Sequence, residues 1–134
     1  MTQAIVILYV EDQERAKRFY ATVLGVEPTL DVPGMTELPL AGGVSLGLMP
    51  SDGIARILGD ALPHPSRGHG IPRCELYLRV PDAQASLERA LAAGARAVDE
   101  RRERSWGERV AYAVDPDGHV VAFADRRPDQ DQGG

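Results

Sequence analysis

Leu8-Tyr9-Val10-Glu11-Asp12 and Leu78-Arg79-Val80-Pro81-Asp82 decide the fold, because each closes a strand-like run with the aspartate that starts a helix. Before the first copy, residues 4–10 (Ala-Ile-Val-Ile-Leu-Tyr-Val) are short, β-branched and aromatic, which predicts a buried strand. After it, Ala16, Phe19, Tyr20, Val23 and Leu24 fall at i, i+3, i+4, i+7 and i+8, the apolar stripe of a helix over 13–24. Gly25 stands where a left-handed residue ends the helix, and Pro28 forbids its continuation. The second copy repeats the plan: strand 75–80, Asp82 as N-cap, a stripe of Ala83, Leu87, Ala90 and Leu91, then Gly94. Asp12 and Asp82 lie 70 residues apart and Gly25 and Gly94 lie 69 apart, so one helix has lost a residue. Two copies of one strand–helix unit related by a pseudo-twofold create a cleft between sheets, where a small molecule can be held.

The remaining segments follow from punctuation. Pro33-Gly34 and Ala41-Gly42-Gly43 break residues 27–50 into strands, with apolar residues at 44, 46 and 48, so one or two antiparallel hairpins are expected. Residues 51–62 carry a weak helical pattern, and 62–73, with three Pro, two Gly and two His, read as a connector. Two further strands are expected at 109–114 and 120–125, joined by Asp115-Pro116-Asp117-Gly118, the composition of a type I turn. The Arg101-Arg102-Glu103-Arg104 run between them and the second helix reads as a solvated hinge. The expected layout is a single domain over 1–125, made of module one (4–50), a connector (51–73) and module two (74–125). The polar residues 126–134 are expected to be a disordered tail.

Composition narrows the function classes. A chain of 134 residues, 43% hydrophobic and 26% charged, is long enough to bury a core without staples. No apolar run approaches the ~20 residues that span a bilayer, and the N-terminus lacks the basic and apolar regions of a signal peptide, so a cytoplasmic protein without a membrane partner is expected. A net charge of −5 argues against nucleic acid. The single cysteine, Cys74, excludes an internal disulfide and a thiolate-cluster zinc site. With no cationic neighbour or helix start beside it, Cys74 reads as a passive small residue.

Strand, Asp-capped helix with Phe19-Tyr20 and Leu24-Gly25, Trp106-Gly107, and Asp115-Pro116-Asp117-Gly118-His119 before a last apolar strand together resemble the vicinal oxygen chelate superfamily over residues 4–125. That group includes glyoxalase I, extradiol dioxygenases and bleomycin resistance proteins. The resemblance implies an α+β fold of two tandem βαβββ modules whose sheets curl around a shared cleft, usually in a homodimer. In the superfamily's metalloenzymes His, Gln or Glu ligands come from the first and last strand of each module. The corresponding positions here hold Ile5, Gly47, Glu75 and Ala122, and one carboxylate does not offset the hydration a divalent ion loses. No metal and no other cofactor is therefore expected, and the character implied is that of the metal-free bleomycin-resistance type.

Strand periodicity nominates the site. If Val6, Leu8 and Val10 face the helix, then Ile5, Ile7 and Tyr9 face the pocket, and by the same count Glu75, Tyr77 and Arg79 share the pocket face of module two. Trp106 stands at a strand approach beside Gly107, where an aromatic face binds flat or cationic ligands. The expected ligand-binding set is thus Tyr9, Glu75, Tyr77, Arg79 and Trp106, with Tyr112 and Arg109 as further candidates whose faces periodicity does not fix. Glu75 has two readings: a pocket acceptor or general base, or a strand-mouth carboxylate in solvent or paired with Arg73 or Arg109. His64, His69 and His119 read as surface histidines; a metal site built from His64, His69 and Glu75 would be foreign to the superfamily. The leading function is sequestration of a drug or metabolite in the inter-module cleft without a metal, in the manner of antibiotic-resistance proteins. The alternatives are a metal-dependent lyase, isomerase or dioxygenase with an atypical ligand set, a metal-free catalyst using Glu75, and a subunit that only dimerises.

Overall fold

The computed structural model describes residues 1–128, so the tail expectation for 129–134 lies outside the described residues. The chain divides into two compact units, one over Met1–Ile71 and one beginning at Pro72.

The first unit runs β1 (Ile5–Val10), α1 (Gln13–Leu24), β2 (Leu30–Val32), β3 (Met35–Pro39), β4 (Ser45–Pro50) and α2 (Ser51–Leu58). Its sheet has the order β1-β4-β3-β2, with β1 parallel to β4 and the other pairs antiparallel, so both expected hairpins form. Asp12 caps α1 by accepting the Arg15 N–H at 2.9 Å, which satisfies one of the helix's orphan donors. Gly25 ends it at φ 67°, donating to the Ala21 carbonyl, a conformation that a Cβ disfavours. Ala16, Phe19, Tyr20 and Val23 are buried as the stripe predicts, against a core that includes Leu8, Val10, Leu38, Leu46 and Leu48. Gln13 fastens the start of α1 to the first hairpin: its amide donates to the Val32 carbonyl (2.8 Å) and Thr36 Oγ1 (2.9 Å) and accepts from the Gly34 N–H (3.0 Å). Val6 departs from the expectation that it packs with Leu8 and Val10. It is 52% exposed, whereas Leu8 and Val10 farther along the same strand are 8% and 0% exposed.

Beyond α2, short 3₁₀ turns at Gly59–Ala61 and Pro65–Gly68 carry the chain to the second unit.

That unit runs β5 (Glu75–Arg79), α3 (Ala83–Ala92), β6 (Arg96–Glu103), β7 (Arg109–Val114) and β8 (Val120–Asp125), in the sheet order β5-β8-β7-β6. The β5–β8 pair is parallel and the others antiparallel, so each unit is one βαβββ module. Asp82 caps α3 through the Ala85 N–H, and Gly94 follows at φ 118°. The 115–118 turn forms as expected: the Gly118 N–H reaches the Asp115 carbonyl at 3.0 Å, while Asp115 Oδ1 accepts from the Asp117 and His119 N–H groups.

One element corrects the sequence reading. Arg101–Arg104 is not a hinge: residues 101–103 lie in β6 and Arg104 follows it, with register shifts at Asp99. An edge strand of this composition shows no apolar alternation, and its pairing with β7 supplies what local propensity does not. Its arginines are used. Arg101 reaches Asp125 at 3.2 Å, and Arg104 donates to the Val110 carbonyl at 2.8 Å while its guanidinium lies 5.1 Å from the Tyr112 ring centroid.

Among the described residues no helix is long and apolar enough to cross a membrane.

Candidate functional site: an aromatic and carboxylate face on the second sheet

The parallel pairing of β5 with β8 and the antiparallel pairing of β8 with β7 set Tyr77, Ala122 and Tyr112 side by side across three strands, and Arg79, Ala124 and Val110 in the next row but one. Alternation sends these residues to the same face of the sheet. Val110, Ala122 and Ala124 are wholly buried there, and Tyr77 and Tyr112 pack over them. Leu87 and Ala90 of α3 are buried, as are Ala111, Ala113, Val121 and Phe123, the alternate residues of β7 and β8. The sheet thus separates a wholly apolar face from one that carries the two tyrosines.

On the aromatic face four side chains form one chain of hydrogen bonds. The Trp106 indole N–H donates to Tyr77 Oη at 2.9 Å, and the Tyr77 hydroxyl donates to Glu108 Oε1 at 2.7 Å. Arg79 then closes on the same carboxylate through Nε to Oε2 (3.0 Å) and through a terminal nitrogen to Oε1 (3.3 Å). The Glu108 side chain is 4% exposed and the Arg79 side chain 73%. A buried carboxylate therefore anchors two groups that face solvent, Arg79 and the half-exposed Trp106. Arg79 also lies 5.6 Å from the Tyr77 ring centroid. Beside the chain is a hollow of ≈ 180 Å³ lined by Glu103, Arg104, Ser105, Gly107, Glu108 and Arg109.

Protonation follows from these contacts. The Arg79 hydrogen bonds hold the Glu108 carboxyl below its ordinary value, with the Tyr77 hydroxyl adding to the effect against burial. Burial pushes the Tyr77 phenol up, and the Glu108 charge reinforces that. Glu108 is thus an ionised acceptor at neutral pH and Tyr77 a neutral donor. A second carboxylate, Asp125, is pushed up by burial but pulled down further by the Ala83 N–H, Arg109 and Arg101. Both folded-state values lie below the unfolded ones, so their contribution to stability is complete above the ordinary values of 4.5 and 3.8 and disappears as pH falls through the lowered ones. The unfolding free energy is accordingly expected to be flat from about pH 7 to about pH 5 and to fall below pH ~4.5. Urea titrations across that range check this, and Glu108→Gln should make the acid slope shallower.

The structure brings together three of the five nominated residues, Tyr77, Arg79 and Trp106. Glu75 lies on the same strand, exposed, paired by its backbone with Val120. Arg109, one of its two candidate partners, donates instead to Asp125 Oδ1 at 2.7 Å, and the charge of Glu75 helps burial raise the Tyr112 phenol. Tyr9 is 38% exposed on β1 of the first unit. Glu108, the residue that joins the others, is not in the set that strand periodicity nominates. Its position just before β7 gave no face assignment, because the preceding loop turns at Gly107 (φ 91°) and breaks the count of two.

The superfamily's metal-ligand positions can be tested sterically. A Cβ at Gly47 would come within 2.9 Å of Ile7 Cγ1 and 3.2 Å of Ile5 Cγ2, so the two β1 isoleucines occupy the space a ligand side chain would need. Ala122 is wholly buried between Tyr77 and Tyr112. These positions do not fit a divalent ion, and among the described residues no group of three or more His, Cys, Asp or Glu is arranged to hold one. Even the smallest enlargement is expected to register: Gly47→Ala should destabilise the fold by about 1–3 kcal/mol through overpacking, measurable as a lower urea midpoint at unchanged slope.

Comparison with known proteins agrees with this architecture. The glyoxalase-like domain family matches residues 4–124. An uncharacterized protein of Mycobacterium bovis is 29% identical over 115 residues, covering 84% of this chain and 75% of that one. A glyoxalase-related enzyme from Fulvimarina pelagi shares the fold with a TM-score of 0.78 at 24% identity, covering 92% of this chain and 86% of that one. TnmS3, an antibiotic binding protein from Streptomyces sp. CB03234, aligns with a TM-score of 0.67 at 26% identity, covering 95% of this chain and 97% of that one. With its two βαβββ units and this match along almost its whole length, the chain belongs to the glyoxalase-like domain family of the vicinal oxygen chelate superfamily.

Proposed function

We propose that the protein binds a flat, aromatic organic molecule, of the kind represented by aromatic antibiotics, without a metal and without transforming it. The observation that carries this reading is the Trp106–Tyr77–Glu108–Arg79 chain. A half-exposed indole held by a hydrogen-bond chain that ends on a buried carboxylate is a preorganised stacking surface, which lowers the entropy a ligand must remove on binding. Arg79 offers its exposed guanidinium edge to a carbonyl or phenolate on the same ligand. The hollow beside Glu108, at ≈ 180 Å³, takes a ring-sized substituent rather than a whole drug-sized molecule, whose sites are typically ~300–1,000 Å³.

Glu108 supports holding over catalysis. A general base works best with a pKa near the operating pH, and a carboxylate pulled down by Arg79 and Tyr77 is a weak one. The likeness to an antibiotic binding protein points the same way. A cytoplasmic homodimer that protects its host by sequestration completes the proposal. The exposed apolar residues of edge strand β1, Ile5, Val6 and Tyr9, favour a second copy as partner, and light scattering in solution reads the mass directly.

The test is a panel of planar aromatic natural products read by Trp106 fluorescence and by melting temperature. Binders should quench or shift the single tryptophan and raise the melting temperature with concentration. A panel that moves neither overturns the binding reading. Stoichiometric Ni, Zn, Fe or Mn in protein purified without chelator, lost together with binding, overturns its metal-free part.

A further inference from the structure

The connector of the first unit carries a second constellation that ligand binding does not use. His64 Nε2 lies 2.7 Å from Asp52 Oδ1, and His64 Nδ1 lies 2.8 Å from Ser66 Oγ. The Ser66 backbone N–H also points at Nδ1, at 3.1 Å. A backbone N–H can only donate, so Nδ1 is the unprotonated nitrogen and the ring proton sits on Nε2, where Asp52 accepts it. With the tautomer fixed, the Ser66 hydroxyl donates to Nδ1, whose one lone pair it shares with the Ser66 N–H. This is a nucleophile, a base and an orienting carboxylate in sequence, with the two ring nitrogens exchanged relative to the usual serine hydrolase arrangement.

Its setting favours chemistry at the surface. Asp52 lies in the first turn of α2, and Pro65 fixes the backbone between His64 and Ser66. The His64 ring is about one-third exposed, at 35%, and Ser66 is exposed. A small electrophile can reach Oγ without any movement of the chain.

We propose that Ser66 is a nucleophile activated by His64 and oriented through Asp52, and that it takes acyl groups from small activated esters. Oγ attacks the ester carbonyl and its proton passes to Nδ1. The phenolate or alkoxide leaves with the electron pair of the broken C–O bond and takes the proton from Nδ1, while Asp52 balances the transient imidazolium. Water then attacks the acyl-serine as neutral Nδ1 takes its proton and returns it to Oγ, giving the acid and free Ser66, so that the sum is ester hydrolysis. While Nδ1 carries the proton the Ser66 N–H cap is interrupted, and it re-forms when the proton leaves.

A fluorophosphonate probe and p-nitrophenyl acetate test this on the full chain. With the probe, Oγ forms the bond to phosphorus, fluoride leaves, and its proton goes to Nδ1. Expected are phosphonylation of Ser66 by peptide mass spectrometry, loss of labelling on unfolding in urea, and a p-nitrophenol release at least tenfold above Ser66→Ala. His64→Asn keeps an acceptor for the Ser66 N–H but removes the base, and should slow labelling at least tenfold at an unchanged melting temperature. Asp52→Asn should slow it several-fold. Labelling elsewhere than Ser66, equal labelling in urea, or full labelling of His64→Asn would each overturn the proposal and leave His64 as a helix cap alone.

Discussion

Asp125→Ala is expected to lower the unfolding free energy by about 3 kcal/mol, the low end of what breaking a buried ion pair costs. The Asp125 side chain is 2% exposed at the end of β8. It accepts the Ala83 N–H at 2.7 Å, Arg109 Nε at 2.7 Å and an Arg101 nitrogen at 3.2 Å. Ala83 is the first residue of α3, so one carboxylate joins the helix start, the strand β7 and the edge strand β6. Alanine leaves the Ala83 N–H buried without an acceptor and removes the carboxylate paired with Arg109, while Arg101 keeps Asp82 at 3.4 Å. The two arginine side chains are 25% and 28% exposed, so water recovers part of the loss, which is why the low end applies. Asp125→Asn keeps an acceptor for Ala83 and should cost roughly half as much. Urea unfolding at pH 7 measures both; a loss under about 1 kcal/mol for the alanine variant would mean that α3 is held by its apolar stripe alone.

Trp106→Ala is expected to weaken binding of an aromatic ligand by about 2 kcal/mol or more, some thirtyfold in Kd, the loss typical when a tryptophan anchor is truncated. Because Trp106 is the only tryptophan, the variant removes the fluorescent reporter as well, and calorimetry must supply the affinity. Its fold should be unperturbed, since the indole is 54% exposed and the Tyr77–Glu108 bond does not depend on it. Tyr77→Phe separates contact from positioning. It leaves the ring but removes the hydroxyl that holds the indole, so a smaller loss, near threefold, is expected. Equal affinities in all three proteins would remove Trp106 from the site.

Much of the scaffold is legible from local chemistry. Asp12 and Asp82 announce helix starts because a short carboxylate before an apolar stripe satisfies N–H groups that nothing else reaches, and both do so. Gly25 and the 115–118 turn are legible for the same reason, each being a local conformational requirement with few chemical solutions. β6 was illegible: it is held by pairing with β7, and its own residues carry the charges of a loop.

The site divides along the same line. The sequence by itself determined the two strand–helix copies, the lack of a donor set at Ile5, Gly47 and Ala122, and the common face of Tyr77 and Arg79, since donor chemistry and the period of two are properties of residues in order. Only the tertiary structure decided that Glu108 joins Trp106, Tyr77 and Arg79, that Arg109 belongs to Asp125, and that His64 stands between Asp52 and Ser66. Apart from the local His64–Ser66 contact, two residues apart, these contacts join residues 12 to 31 apart in the chain. Over such distances a side chain's partner is set by where packing and strand register bring it, which no local pattern encodes.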